Sequence, residues 1–268
     1  MTMTFQEFWR KKKPVIGMVH LKALPGSPRS VLSLNEIYEL AMRDADALIE
    51  GGVDAVQVEN QFDTPYRLSD EIGPETVAFL AVAADKIKMH FPEIPLGITA
   101  HLNGGVQALA VARAVHADFI RCFNLMNAYI SNSGFVGAAA PELMRYRRQI
   151  GADNIMVFGD FQVKHGSHAI TADRSLLEKA HDIAVSGAEA AILTGTATGV
   201  APDAMLLSKL SGNLPIPVLI GSGLNEKNAM ALWPHASGAI IGSGFKPNGD
   251  LSAPVDYNLV RAFMQIIR

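Results

Sequence analysis

Eight short apolar runs of β type, each followed by a stretch with helical periodicity, constrain this chain more than any other feature. They are Val15 to His20, Ala55 to Glu59, Leu96 to His101, Phe119 to Phe123, Ile155 to Asp160, Ala191 to Thr194, Val218 to Gly221 and Ala239 to Gly242. Runs of this length bounded by turn residues read as strands buried on both faces, and their alternation with helices predicts βα units around a parallel sheet. Ile37, Leu40, Ala41, Ala45 and Leu48 share one helical face, as do Leu176, Ala180, Ile183, Ala184 and Gly187 further on. Ser33 with Glu36 has capping-box spacing, and Pro74, Pro141 and Pro202 fit first-turn positions where a missing N–H costs nothing. Gly51 with Gly52, Gly151 and Gly187 mark helix ends. Eight such units predict a closed (β/α)8 barrel. An open doubly wound sheet uses the same units but carries its glycine-rich turn after the first strand, whereas here that strand runs into HLKALPG. With 268 residues, 49% of them apolar, the chain suits a single barrel domain over 1–268, of which 1–13 form a polar lead-in.

The glycine-rich turns come last. Leu219 to Gly223 reads LIGSG and Ile240 to Gly244 reads IIGSG, each closing a strand. In a (β/α)8 barrel the loops after strands seven and eight commonly build a phosphate site at the catalytic face. Glycines let backbone N–H groups approach an anion closely, and a helix N-terminus after the turn adds its positive dipole end. Gly221, Ser222, Gly223, Gly242, Ser243 and Gly244 are therefore the candidate phosphate-binding residues; the competing reading is two tight turns that bind nothing. No GxxxxGK[ST] motif is present, which disfavours a P-loop nucleotide hydrolase.

Polar residues at the C-terminal tips of barrel strands point into one shared mouth. His20, Glu59, Asp160, Lys164 and His165 are the candidate catalytic groups, with Asn60, His101, Asn103, Arg121, Thr194 and Thr196 placed to bind substrate. Thr198 follows in the same TGTATG segment, and Asn124 and Gln162 also stand beyond strand tips. Asp160 reads either as a general base raised by partial burial or as the partner of Arg121 in a salt bridge that lowers its pKa. Lys164 has three readings: an anchor for an anionic group, an imine-forming amine, or a solvated loop lysine. Nothing in the sequence supplies the apolar pocket that the second requires. His20, Glu59, His101, Asp160 and His165 are of the types that bind a divalent metal, although no HExxH or comparable spacing is present; rim histidines hydrogen-bonded to carboxylates are the alternative. No cofactor is required by any motif. His90, His116, His181 and His235 fall on or near outer helices.

A formal net charge of −3 lacks the basic face of a nucleic-acid binder. The seven apolar residues after Pro14 are too few to span a membrane, and no export signal is visible, so the expected location is the cytoplasm. The lone Cys122, inside an apolar run, reads as a packed thiol in keeping with that compartment. The segment from Asn124 to Ala140 is long for a βα loop. It suits a lid hinged on its glycines or, through Met126, Tyr129, Ile130, Phe135 and Val136, a contact in a homo-oligomer.

MVHLKALPG at Met18 to Gly26, GGVDAVQVEN at Gly51 to Asn60, DFIR at Asp118 to Arg121 and GDFQVKH at Gly159 to His165 together resemble the BtpA/SgcQ family. The resemblance runs through nearly the whole chain and implies a TIM barrel of the phosphate-binding type. The resemblance implies little about reaction, and two functions stand as expectations, the first resting on the strand-tip residues and the glycine turns. One is an enzyme acting on a phosphorylated sugar or similar small metabolite, of isomerase or lyase type, with Asp160 or Glu59 as base. The other is a noncatalytic assembly or stability factor of the kind linked to photosystem I biogenesis.

Overall fold

The computed structural model describes residues 4–10, 12–195, 197 and 199–268. Ten strands are present among them: β1 (Val15–His20), β2 (Ala55–Glu59), β3 (Leu96–Thr99), β4 (Phe119–Cys122), β5 (Tyr129–Ser131), β6 (Gly134–Val136), β7 (Met156–Asp160), β8 (Ala190–Leu193), β9 (Val218–Ile220) and β10 (Gly238–Ile241). Eight of them close a parallel barrel in the order β1-β10-β9-β8-β7-β4-β3-β2, while β5 and β6 form a separate antiparallel hairpin. The fold is the expected α/β (β/α)8 barrel. Strand ends predicted at His101, Phe123, Thr194, Gly221 and Gly242 lie one or two residues past the last paired residue, in the loops of the C-terminal mouth.

The barrel helices are α2 (Leu34–Glu50), α3 (Pro74–His90), α4 (Gly105–Ala114), α5 (Ala140–Gln149), α6 (Leu176–Val185), α7 (Ala204–Asn213), the short α8 (Ala229–Leu232) and α9 (Tyr257–Ile267). Ser33 accepts a hydrogen bond from the amide of Glu36 in a complete capping box, and Ser175 with Glu178 makes another that the sequence reading did not single out. Pro74 opens α3 and Pro141 lies in the first turn of α5. Pro202, by contrast, stands before the N-cap, which is Asp203, so its fixed φ shapes the approach to α7 rather than its first turn.

Alternation along each strand divides the interior. One set of side chains packs between sheet and helices, joining Ile37, Ala41, Ala45 and Leu48 of α2 with Val15, Val19, Val56 and Val58. The opposite set, including Ile16, Met18, Ala55, Phe119, Phe158, Ile192, Leu219 and Ile240, fills the barrel itself. The lead-in is more than polar. A short helix, α1 (Phe5–Phe8), turns Phe5 and Trp9 into the lower end of the barrel, where Phe5 meets Phe158 edge-on at 5.6 Å and Trp9 meets Phe119 at 6.3 Å. No described helix is long and apolar enough to cross a membrane.

Candidate functional site

Because side chains alternate, the inward positions can be read upward along each strand, from Ile16 through Met18 to His20, from Ala55 through Gln57 to Glu59, and from Phe119 to Arg121. The register sets His20 beside Glu59 and Glu59 beside Thr99. These strand tops enclose a cavity of about 200 Å³ at the C-terminal mouth. Its walls include His20, Glu59, His101, Arg121, Lys164 and His165, together with Gly221, Ser222, Gly223, Gly242 and Ser243. His20 and Ser243, 223 positions apart in the chain, thus share one space, as expected from the fold.

Glu59 is the centre of its charge. It is 3% exposed, with Oε1 lying 3.1 Å from His101 Nε2 and 3.8 Å from His20 Nε2. Glu59 Oε2, His20 Nδ1 and His101 Nδ1 lack hydrogen-bond partners among the described residues, while His101 Nε2 faces Glu59 Oε1. Burial opposes ionisation of Glu59, but the neighbouring His101, His20 and Arg121 outweigh it and hold the carboxyl down to about 2. Burial pulls His20 down to about 4 against the attraction of Glu59, so its imidazole is neutral near pH 7. His101 is clamped flat between Tyr66, at 4.3 Å between ring centres, and Phe123, at 4.6 Å. A carboxylate and a neutral imidazole with open lone pairs, facing a cavity, are equipped to accept and deliver protons.

Asp160 has a different situation. Arg121 Nε and Nη2 donate to its two carboxylate oxygens at 2.9 and 2.8 Å, with both side chains almost fully buried. Burial raises the Asp160 carboxyl from its ordinary range, opposed by Arg121 and Lys164. Of the two sequence readings, the salt bridge is the geometry found, yet the accompanying expectation of a lowered pKa is reversed by desolvation. Asp160 does not line the cavity; Arg121 does, and its guanidinium lies 4.7 Å from the Phe123 ring centre. A fork held at both ends of a carboxylate has one orientation, so Asp160 positions the cationic face that Arg121 turns to the mouth. Burial lowers the Lys164 ammonium, and the adjacent charge of Arg121 lowers it further.

Both glycine turns border the cavity, and two of their glycines are required by close approach. A Cβ on Gly221 would stand 2.9 Å from Arg121 Nη2 and 2.4 Å from Ile192, and one on Gly242 would stand 2.7 Å from His20 Cε1. Amide N–H groups of Ser222, Gly223 and Ser243 find no partner among the described residues, and the Ser222 hydroxyl is buried and unpaired. The amide of Gly221, however, is committed to the Leu193 carbonyl at 2.8 Å. Gly244 is not a wall residue, because it packs beneath the carbonyl of Leu224. The expected helix dipole is also missing: Gly242 leads into a single 3-10 turn at Ser243–Phe245, and only the four-residue α8 follows Gly223.

Other candidates are diverted to structural work. Asn60 accepts from the His101 amide at 2.8 Å and donates to Asp63 at 2.9 Å, tying two loops together away from the cavity wall. Asn103, at φ 61°, accepts from the Asn124 amide at 2.8 Å and donates to the carbonyls of Asn124 and Gly137. Thr194 donates to the Gln162 carbonyl at 3.1 Å and does not reach the mouth. Thr196 and Thr198 lie outside the described residues. Cys122 is the packed thiol expected, donating to Asn103 Oδ1 at 3.3 Å, with burial pushing it up to about 12. No group of three or more His, Cys, Asp or Glu side chains is placed to hold a metal ion among the described residues.

Residue-by-residue reading missed the aromatic wall. Tyr66, Phe123 and Tyr129 line the cavity, and their common signal was only an aromatic in a loop or just past a strand. The loop from Asn124 to Ala140 contains the β5–β6 hairpin. Of its apolar side chains, Tyr129 and Val136 turn inward, whereas Ile130 and Phe135 are 41% and 59% exposed.

Comparison with known proteins matches a sequence model described as the BtpA family to residues 11–268. A mitochondrial protein of Caenorhabditis elegans is 36% identical over 255 residues, covering 94% of this chain and 91% of the relative. The photosystem I biogenesis protein BtpA of Synechocystis is 36% identical over 264 residues, covering 97% and 90%. Among solved structures, N-(5'-phosphoribosyl)anthranilate isomerase from Pyrococcus furiosus superposes with a TM-score of 0.57 at 15% identity, covering 95% of this chain and 98% of that one. The tryptophan synthase alpha chain of Legionella pneumophila gives 0.61 at 13%, covering 96% and 92%. At such identities these two show the shared barrel alone.

Proposed function

Given that the chain belongs to the BtpA family, we propose that it is an enzyme acting on a phosphorylated sugar or similar small metabolite by acid-base chemistry of the isomerase or lyase type. One observation carries this reading: unpaired amides of the two glycine turns share a cavity with a buried carboxylate and imidazoles whose lone pairs are also unclaimed. Unsatisfied buried polar groups are costly, and a cavity lined by them is best accounted for by a ligand that completes them. In this reading Ser222, Gly223 and Ser243 hold the phosphate through their N–H groups. Glu59 is the base, because it faces the cavity with an open oxygen while both oxygens of Asp160 are taken by Arg121. His20 and His101 exchange protons with substrate oxygens, with His165 at the rim. The isomerase neighbour bears a 5'-phosphoribosyl compound in its name, which lends the phosphate reading support from the shared barrel. No cofactor is required by this reading and a divalent metal is compatible with it; a cytoplasmic location and a homo-oligomer are proposed alongside.

The name of the Synechocystis relative favours a second reading, a noncatalytic factor in photosystem I assembly. Melting temperature separates the two. Purified protein is screened against inorganic phosphate and sugar phosphates, with and without divalent ions. A ligand present at a hundred times its Kd stabilises by about 2.7 kcal/mol. A rise with one phosphorylated compound that Ser222→Asp abolishes supports the enzyme. No rise with any of them favours the assembly factor.

A further inference from the structure

Two of the described lysines that are shielded from solvent show the usual pairing. Lys246, 3% exposed, donates to the Ala253 carbonyl at 2.7 Å and faces Asp44 at 3.5 Å. Lys88 likewise has Asp118 at 3.3 Å and the Ile94 carbonyl at 3.2 Å. Lys164 has neither. It sits half-buried in the cavity wall with no hydrogen bond and no carboxylate within ion-pair distance among the described residues. The surface around it is the apolar pocket that the sequence did not disclose, since Leu102, Phe123, Tyr129 and Val163 form one packed cluster and all four line the same cavity. They arrive from three separate strand-to-helix connections, with Lys164 next to Val163.

From this geometry we infer that Lys164 forms an imine with the carbonyl carbon of a phosphate-bearing aldehyde or ketone held by the glycine turns. The inference rests on the phosphate reading above and names the substrate class for it. An amine reacts only when it is neutral, and three features favour that form here: the apolar wall, the fixed charge of Arg121 alongside, and the absence of a salt-bridge partner. The proton balance closes within the cavity. A first proton leaves Nζ, relayed to Glu59 through water in the mouth, and the nitrogen lone pair forms the bond to the carbonyl carbon, whose π electrons pass to oxygen. That oxygen takes the proton back from Glu59 and becomes the hydroxyl of a carbinolamine. A second proton follows the same route as the C–O bond breaks, so that water leaves and a C=N⁺–H bond to Lys164 remains. Overall, an ammonium and a carbonyl give a protonated imine and one water, with no oxidant or reductant. A protonated imine is an electron sink, which is what cleavage or proton shift beside a carbonyl requires.

The test uses glycolaldehyde phosphate with cyanoborohydride, which reduces an imine to a stable secondary amine, followed by peptide mass mapping of the full chain. Lys164 is expected to be modified on the order of tenfold faster than the exposed Lys209 and Lys227, because the aldehyde is held beside it by its phosphate. Inorganic phosphate should slow Lys164 alone, and Lys164→Arg should keep the phosphate-induced rise in melting temperature while losing the rapid modification. If Lys164 reacts no faster than Lys209 and Lys227 while phosphate still raises the melting temperature, the imine is wrong and the phosphate site stands. If neither response occurs, both readings fall.

Discussion

The two ends of this barrel are built from the same strands and obey opposite rules. At the lower end, Phe5, Trp9, Phe119 and Phe158 close the interior with stacked and edge-on rings, the last two 4.9 Å apart, and among the described residues there the Trp9 indole N–H alone is left without a partner. At the upper end, His20, Glu59, His101, Gln162 and Ser222 each keep at least one buried polar atom unpaired. Apolar closure stabilises through buried area and contact. Unpaired polar groups destabilise, and a protein retains a concentration of them only where something else completes their bonding. The contrast assigns stability to the floor and ligand chemistry to the mouth, and it can be attacked from either side.

The largest expected effect comes from the one part of the mouth that is fully paired. Arg121→Met removes the guanidinium and strands the Asp160 carboxylate, each of them at most 4% exposed. The expected cost is about 3–5 kcal/mol in chemical denaturation, the range for breaking one side of a buried ion pair. A cost under about 1 kcal/mol would mean that Asp160 is not held in the way its geometry implies. On the floor, Phe5→Ala should cost about 3 kcal/mol, as for other buried aromatics, and leave any phosphate-induced rise in melting temperature intact. Ser222→Asp should do the reverse, costing little in the free protein while removing a ligand stabilisation of about 2.7 kcal/mol at a hundred times Kd. If both variants lost the ligand response equally, the division between floor and mouth would be mistaken.

These ends also differ in how plainly the sequence announced them. Strand alternation and capping motifs are local signals, so the barrel could be read from runs such as Val15 to His20 and from Ser33 with Glu36. Inward placement of His20, Glu59 and Arg121 followed from the same periodicity. What stayed hidden depends on contact between distant segments. Asn60 and Asn103 carry the same amide as any substrate-binding asparagine, and only the folded loops show that the His101 and Asn124 amides claim them. Tyr66 and Phe123 become a clamp solely because His101 inserts between them. The lead-in looked polar because Lys11 to Lys13 dominate it, whereas Phe5 and Trp9 find their partners more than 100 residues away.

Acid titration sharpens the comparison further. His20 is held down to about 4 from an ordinary 6.5, and Glu59 to about 2 from 4.5. In both cases the unfolded chain binds the proton more readily than the folded one. Their contributions are therefore complete above the unfolded pKa and are lost as pH falls through the folded one. His20 should draw stability away between about pH 6.5 and 4, and Glu59 below about 4.5. His20→Gln should flatten the upper leg, by on the order of 2 kcal/mol between pH 7 and 4. An unchanged slope in that variant would show that another group carries the titration.

The smallest effect belongs to the hairpin beside the mouth. Phe135 is 59% exposed and Ile130 41%, so Phe135→Ser removes little packing from a single chain and should change its stability by no more than about 0.5 kcal/mol. If the hairpin joins two copies, as the proposed homo-oligomer requires, the same substitution should lower the sedimentation coefficient at micromolar protein, because an apolar side chain at the centre of a contact carries more of its energy than it does of the monomer's fold. An oligomer that persists unchanged in the variant moves the contact elsewhere and leaves the hairpin as a rim element of the cavity, to which Tyr129 and Ser131 already contribute. A chain that sediments as a monomer before and after gives Phe135 no partner, and the proposed assembly is then wrong while the site at the mouth is untouched.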